Sequence, residues 1–475
     1  MKASVARGLL VCALCAASPT LAQEESNEDR VDPLLDVSGK TEESLPKMVP
    51  GTGITALWER SQVTFRATYY GRARNNVHTD SKASEIHVNV LGLGIDFVSG
   101  YAWDTIGFDV SANANLGRGH GNSEVLNYNP QSNRDTEYAT IGQAALKLKI
   151  GQPDLGMEMR GGYTPIRVGT MGTSGGLHPH GYRGVEVKGF LGDFWLGYGW
   201  ADQFHNEWTR HFIDMTNSWH QNQDGYSGAK RIDYVHSLGG RYSFGPEKTG
   251  FVDVGIGEGK DYRRNAQIAA SYPFAVGNGD TLTLTGYWYW GKYQSKLSGI
   301  DDPRNEHHVS ASARYKTGNW TLAGGYGYTH APDGWEMQFR MTAWANSDNR
   351  NFIQTWAQLD DFVWDGESVV QAEATYDLGD LTSIRGLSIG ARFSYGWGIN
   401  NRDGANRGRT GNAWEVDYNI QYVVPEGRLK GMSFGIYPAH LRFSDFDGKY
   451  DRNDIKVIVG YSYTFDSMKR HQDKK

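Results

Sequence analysis

Several common features are missing from this 475-residue chain. Its two cysteines, Cys12 and Cys15, both fall within the first 22 residues, so no disulfide braces the remainder of the chain. Beyond residue 22 no stretch reaches the roughly 18 consecutive apolar residues of a membrane helix. Charge of one sign is lacking too: the net charge is -6. That balance leaves no basic surface for nucleic acid, which excludes phosphate-backbone binding as a main activity. No helical period and no low-complexity tract interrupts the chain.

The opening "MKASVARGLLVCALCAASPTLA" carries Lys2 and Arg7, an apolar run through Ala17 and a small-residue site ending at Ala22. This is the pattern of a cleaved secretory signal, too short and wrongly flanked to stay in a membrane. Val11 and Leu14 precede the cysteines, which does not suit lipid attachment. Residues 23–50 hold eight acids against Arg30, Lys40 and Lys47, a net of -5. The segment is polar and non-periodic and reads as a loosely packed lead-in. The expected organisation is therefore a signal at 1–22, an acidic segment at 23–50, one folded unit at 51–465 and a basic tail at 466–475.

What is present is alternation. In "NDIKVIVGYSYTF" at 453–465, Ile455, Val457, Val459, Tyr461, Tyr463 and Phe465 share one parity, while Lys456, Ser462 and Thr464 share the other. Period two is the signature of a strand with one apolar and one polar face. The same pattern recurs in "VEVKGF", "DFWLGYGW", "TLTLTGYWYWG", "LSIGARFSYGWG" and "AWEVDYNIQYVV", which predicts about 18 strands. Short turns ("GQPD", "LGD", "KTGN") alternate with long polar links at 117–138, 165–180, 203–229, 330–366 and 398–411. Charges sit mid-strand, where a dry interior would penalise each unpaired one by several kcal/mol. A transmembrane barrel solves this by turning the apolar face to lipid and the polar face to a wet lumen. The mean hydropathy of -0.57 and the 13% aromatic content fit that arrangement. The aromatics close to strand ends, such as Tyr461, Tyr463 and Phe465, are expected in an interfacial girdle.

Blocks along nearly the whole chain resemble the OprD-type outer-membrane porins, specifically their chitoporin branch. They are "IDFVSGYAWDTIGFDVSANA", "KRIDYVHSLGGRYSF", "DDFVWDGESVVQAEATYDL", "RGLSIGARFSYGWG" and "VPEGRLKGMSF". The resemblance implies an 18-stranded barrel of a Gram-negative outer membrane, monomeric or trimeric, whose inward-folded loops narrow the channel. It implies outer-membrane lipid and the assembly machinery as partners, and a small solute, chitin-derived oligosaccharide in this branch, as cargo. Small carboxylates or amino acids are the alternative cargo. Two departures stand out: "DSMKRHQDKK" follows the last strand aromatic, and the lead-in is long.

Parity assigns Arg66, Arg72, Lys147, Lys149, Arg160, Lys188, Arg241, Arg314, Arg392 and Lys456 to the lumen. It also places Asp109, Glu158, Glu186, Asp233, Asp253, Glu373, Glu415 and Asp417 there. Mixed charge suits a neutral polar solute better than a one-sign ladder, though wall charges also hold strands in register. The links 203–229 and 330–366 contain Trp208, Trp219, Trp335, Trp344, Trp356 and Trp364, with Asp214, Asn217, Asp360, Asp361 and Asp365 among them. Indoles stack on the C–H faces of sugar rings, and carboxylates and amides bind hydroxyls. These are the candidate constriction residues. Loop packing or anchoring at the interface is the plain alternative for each tryptophan. No catalytic group, cofactor or metal set is expected. "GTSGG" at 172–176 lacks the strand-to-helix turn of a nucleophile elbow. "GIGEGK" at 255–260 ends a lipid-parity strand and lacks the rest of a phosphate loop. His178 with His180, and His307 with His308, have no third ligand at ordered spacing.

Overall fold

The computed structural model describes residues 53–76, 85–120, 125–129, 134–173, 177–206, 209–217, 229–342, 352–402, 404–447 and 451–466. The signal at 1–22, the acidic lead-in at 23–50 and the tail after Asp466 lie outside these residues.

Wherever apolar and polar residues alternate, the chain runs as a strand. The first nine long strands are β1 (Gln62–Asn76), β2 (Ile86–Val98), β3 (Ile106–His120), β4 (Tyr138–Gln152), β5 (Leu155–Thr164), β6 (Gly181–Leu191), β7 (Phe194–His205), β8 (Val235–Phe244) and β9 (Gly250–Gly259). The second nine are β10 (Arg263–Gly277), β11 (Asp280–Tyr293), β12 (Asn305–Thr317), β13 (Trp320–His330), β14 (Ser368–Asp377), β15 (Leu387–Asn400), β16 (Thr410–Val423), β17 (Ser433–Ser444) and β18 (Arg452–Asp466). Each pairs antiparallel with its neighbours in sequence. β1 then closes the sheet onto β18, from Gln62 opposite Asp466 to Asn76 opposite Arg452. Closure leaves no strand edge unpaired, which is what lets a sheet cross a bilayer.

One rim is built from tight turns. Asn278-Gly279 joins β10 to β11 with φ of 53° and 86°, the mirror-image turn whose twist matches that of the strands. Gly192-Asp193 and Gly318-Asn319 do the same work elsewhere. The other rim carries the long links at 165–180, 206–234 and 331–367, although Lys260–Tyr262 joins β9 to β10 there in three residues.

Burial is inverted relative to a water-soluble sandwich. Leu146 is 66% exposed while its neighbour Lys147 is 2% exposed, because apolar side chains point out to lipid and charges point into the bore. An outward apolar surface of this extent would aggregate in water. Aromatics flank the band. Phe244 stacks on Tyr272 (5.4 Å) and Trp320 packs on Tyr376 (4.7 Å) at the turn rim, and Tyr395 stacks on Trp397 (6.0 Å) towards the loop rim. Tyr461, Tyr463 and Phe465 share the outward parity of Ile455, so the final strand contributes to the turn-rim girdle.

Candidate functional site

Two of the long links fold into the bore, and the wall is shaped to receive them. Gly255, Gly257 and Gly259 are successive lumen positions of β9, because Val252, Val254 and Ile256 point outward. A Cβ at Gly239 or Gly255 would stand 2.3 Å from the backbone of Gly169, and one at Gly259 would stand 1.8 Å from the Met341 carbonyl oxygen. Only glycine permits that approach. The "GIGEGK" glycines therefore lie on the lumen face, where they seat loop backbone; the strand's outward parity belongs to the residues between them.

The 165–180 link starts beside β6, where Arg167 N–H donates to Glu186 Oε2 (2.7 Å). It reaches β8 and β10 through Thr170 N–H to Ser237 Oγ (2.9 Å) and Gln267 Nε2–H to the Gly169 carbonyl (2.9 Å). It then returns to β2, where Leu177 packs with Val88 and Val90. His178 lies against Tyr138 Oη (2.7 Å). Burial, followed by the nearby His205 and His180, holds the His178 imidazole well below its ordinary value. Thr170 Oγ1–H meets Met341 Sδ at 3.5 Å, so the two infolded links touch inside the bore.

The 331–367 link lays a strap over the wall from β12 to β17. Gln354 N–H donates to Ser310 Oγ (3.1 Å) and Gln371 Nε2–H to the carbonyls of Thr355 (3.0 Å) and Trp356 (3.1 Å). Gln358 N–H reaches Asp417 Oδ2 (3.2 Å), and its Nε2–H reaches the Tyr437 carbonyl (3.1 Å). Glu415 accepts both Leu359 N–H (2.7 Å) and Asp360 N–H (3.0 Å). Beneath the strap a belt of alternating sign runs across the strands. It comprises Arg314–Glu373 (3.7 Å), Glu373–Arg392 (3.0 Å) and Arg392–Asp417 (3.6 Å). Cross-strand register brings Glu373, Arg392 and Asp417 side by side.

The remaining wall charges are distributed as follows. Arg66 grips Asp96 (2.7 Å) and Asn113 (3.0 Å), and Arg72 grips Asp454 (2.6 Å). Lys147 donates to Asp109 (2.6 Å) and to the Ser99 carbonyl (2.8 Å), and Arg241 to Asp253 (3.2 Å). On β4–β6, Lys188 pairs with Glu186 (3.1 Å). Arg160 has Glu186 and Glu158 among its electrostatic neighbours, but neither forms an ion pair with it, and Lys149 likewise has no ion pair among the described residues. Asp233 precedes β8 and is exposed.

Of the loop candidates, Trp208, Trp219 and Trp344 lie outside the described residues. Trp335 and Trp364 pack on Phe446 at 5.5 and 4.9 Å, binding the strap to the 445–451 link. Asp214 pairs with Arg231 (3.1 Å), and Asn217 Nδ2–H donates to the Leu297 carbonyl (2.6 Å), both within the rim. Asp365 gathers Ala331 N–H (2.7 Å), Asn400 Nδ2–H (3.0 Å) and Arg402 Nη2–H (2.7 Å). Asp360 accepts Phe362 N–H (2.6 Å) and Trp364 Nε1–H (3.0 Å). Burial raises its pKa to about 6 against those two hydrogen bonds, with the Asp361 charge adding to the rise. Asp361 sits half-buried beside it. Trp356 is half-buried in the bore, with the Arg392 guanidinium 5.9 Å from its ring centre.

Three further aromatics lie on the lumen side, at positions whose aromatic character alone reads as a lipid-facing anchor. Trp195 has the parity opposite to the outward Phe194, Leu196 and Tyr198, and Lys188 Nζ lies 5.3 Å from its ring centre. Phe251 lies 4.4 Å from the Arg241 guanidinium. Tyr101, in the turn after β2, has Lys147 and Lys149 ammoniums at 4.9 and 4.6 Å.

A closed cylinder, apolar outside and charged inside, with two links folded into its bore, is a membrane channel of the outer-membrane porin class. The OprD family of outer membrane porins matches residues 59–465, and the chain belongs to that family. Chitoporin of Escherichia coli (strain K12) is 26% identical over 482 residues, covering 90% of this chain and 97% of that protein. The crystal structure of Pseudomonas aeruginosa OpdK with vanillate has a TM-score of 0.72 at 19% identity, covering 85% of this chain and 99% of that one. Acinetobacter baumannii OccAB1 has a TM-score of 0.73 at 14% identity, with 88% and 100% covered.

Proposed function

We propose that this porin is a passive, substrate-selective channel for chitooligosaccharides or N-acetylglucosamine-type sugars. One observation carries the reading: half-exposed lumen aromatics (Tyr101, Trp195, Phe251 and Trp356) each stand beside a cation. In Arg241 and Arg392 that cation is already neutralised by a carboxylate. An apolar ring face edged by donors and acceptors matches a pyranose, which stacks through C–H groups and hydrogen-bonds through hydroxyl and acetamide. Such contacts are weak and repeated, as conduction requires. The likeness to a chitoporin supports the same cargo. Export by cleavage after residue 22, insertion by the outer-membrane assembly machinery and function as a monomer belong to this reading.

A second reading, uptake of small carboxylates or amino acids, draws on Arg160 and Lys149, the lumen cations without an ion pair among the described residues. Planar-bilayer recording separates the two. Chitohexaose is expected to block the open-channel current in a concentration-dependent way. Block by benzoate or arginine with no response to chitohexaose would establish the second reading instead.

A further inference from the structure

We propose that the outward face at the loop-rim ends of β1–β3 is a docking surface for the phosphorylated headgroup of an outer-leaflet glycolipid, gripped by Arg118 with His87 and His120.

These side chains face outward. Arg118 and His120 share parity with the exposed Val110 and Leu116 of β3, and His87 and Asn89 share it with Leu93 and Ile95 of β2. Register sets His87 opposite His120 and Asn89 opposite Arg118, so the four form one patch of cross-strand neighbours. Tyr69 Oη–H donates to Asn89 Oδ1 (2.7 Å), which leaves the amide nitrogen as a donor.

Two features mark the patch. The outward arginines Arg183 and Arg264 are neutralised by Asp202 and Glu258, and Arg442 spends its guanidinium on the carbonyls of Leu441 and Arg452 and on Asn453 Oδ1. Arg118 is exposed and has no carboxylate partner among the described residues. Strands β7, β11, β13, β15 and β16 end outward in the interfacial aromatics Trp200, Trp288, Tyr328, Trp397 and Trp414, the usual headgroup-level anchors. β1–β3 replace them with guanidinium, imidazole and amide donors directly above Leu91, Leu93 and Leu116. Donors over an apolar strip fit an amphiphile with phosphate above acyl chains. Glu85 lies beyond the His87–His120 pair, further from the apolar band, while Glu137 sits beside the patch, opposite Leu116 by continuation of the β3–β4 register, and forms no ion pair with Arg118. A second copy meeting this patch face to face would oppose like charges, so the lipid is favoured.

The test is native mass spectrometry of the mature chain released from nanodiscs holding bisphosphorylated lipid A in phosphatidylethanolamine. Wild type should retain lipid A. Arg118→Gln should retain it roughly fivefold less, the share expected of one cation at an anionic surface, and Arg118→Lys should recover most of it. Adding His87→Gln and His120→Gln to Arg118→Gln should bring retention to the level of phosphate-free lipid A. Equal retention by wild type and the triple variant would overturn the proposal. So would full competition by inorganic phosphate, or a lipid-free multimer that Arg118→Glu dissociates, which would give the patch to a second copy.

Discussion

The two halves of the bore treat charge in opposite ways. Along β12–β17 carboxylates are structural: Glu415 and Asp417 accept backbone N–H groups of the strap, and Arg392 links Glu373 to Asp417. Along β4–β6 the contact is lighter, with Arg167 N–H of the 165–180 link donating to Glu186, and Arg160 and Lys149 have no ion pair among the described residues. The same residue types thus serve the scaffold on one side and, in the proposed reading, the solute on the other. What separates them is how many loop N–H groups need acceptors there.

That contrast breaks most severely at Glu415. Glu415→Ala leaves two strap N–H groups without their acceptor, at about 1–3 kcal/mol each. The strap should leave the wall, seen as a raised and noisy single-channel conductance, while Arg160→Gln leaves conductance steady. Stable, wild-type conductance in the Glu415 variant would show that the strap is held by its apolar residues alone.

Aromatic platforms lie on both sides and test whether solute uses both. Trp356→Ala and Trp195→Ala should each weaken chitohexaose block by roughly 3- to 10-fold, the range of one stacking contact. An effect at only one of them would confine the sugar path to that half.

Arg160→Gln should move the reversal potential in a salt gradient towards cation selectivity. The shift should fade at 1 M salt, where the screening length falls to about 3 Å. A null result would mean that the neighbouring Asp109, Glu186 and Glu158 already cancel this charge.

The smallest effect concerns acid. The Asp360 carboxyl is raised from 3.8 to about 6, so its neutral form suits the docked strap. By linkage, this stabilisation is fully present below about pH 4 and is lost as pH rises through 6. Hydrogen exchange over 357–364 should be slower at pH 4 than at pH 7 after correction for intrinsic rates, and Asp360→Asn should flatten the difference.

The barrel was legible from parity because a strand that separates lipid from water has no freedom to blur its two faces. Eighteen strands and the outward aromatic trio of β18 came from that rule. The channel interior was less legible. Trp335, Trp364 and Asp365 have the composition of a sugar site but tie links to the rim, whereas Trp195 was visible as an aromatic at a lumen position and Gly255, Gly257 and Gly259 as an empty lumen face. The 165–180 link gave no local sign of entering the bore, since its partners Ser237 and Gln267 are distant in sequence.

Sequence alone settled which side chains meet lipid and which meet water, because hydrophobicity with period two is a local property of each strand. Tertiary structure alone decided which lumen charges are available to a solute. That depends on where the infolded backbone places its N–H groups, and backbone placement across a bore is fixed only once the cylinder has closed.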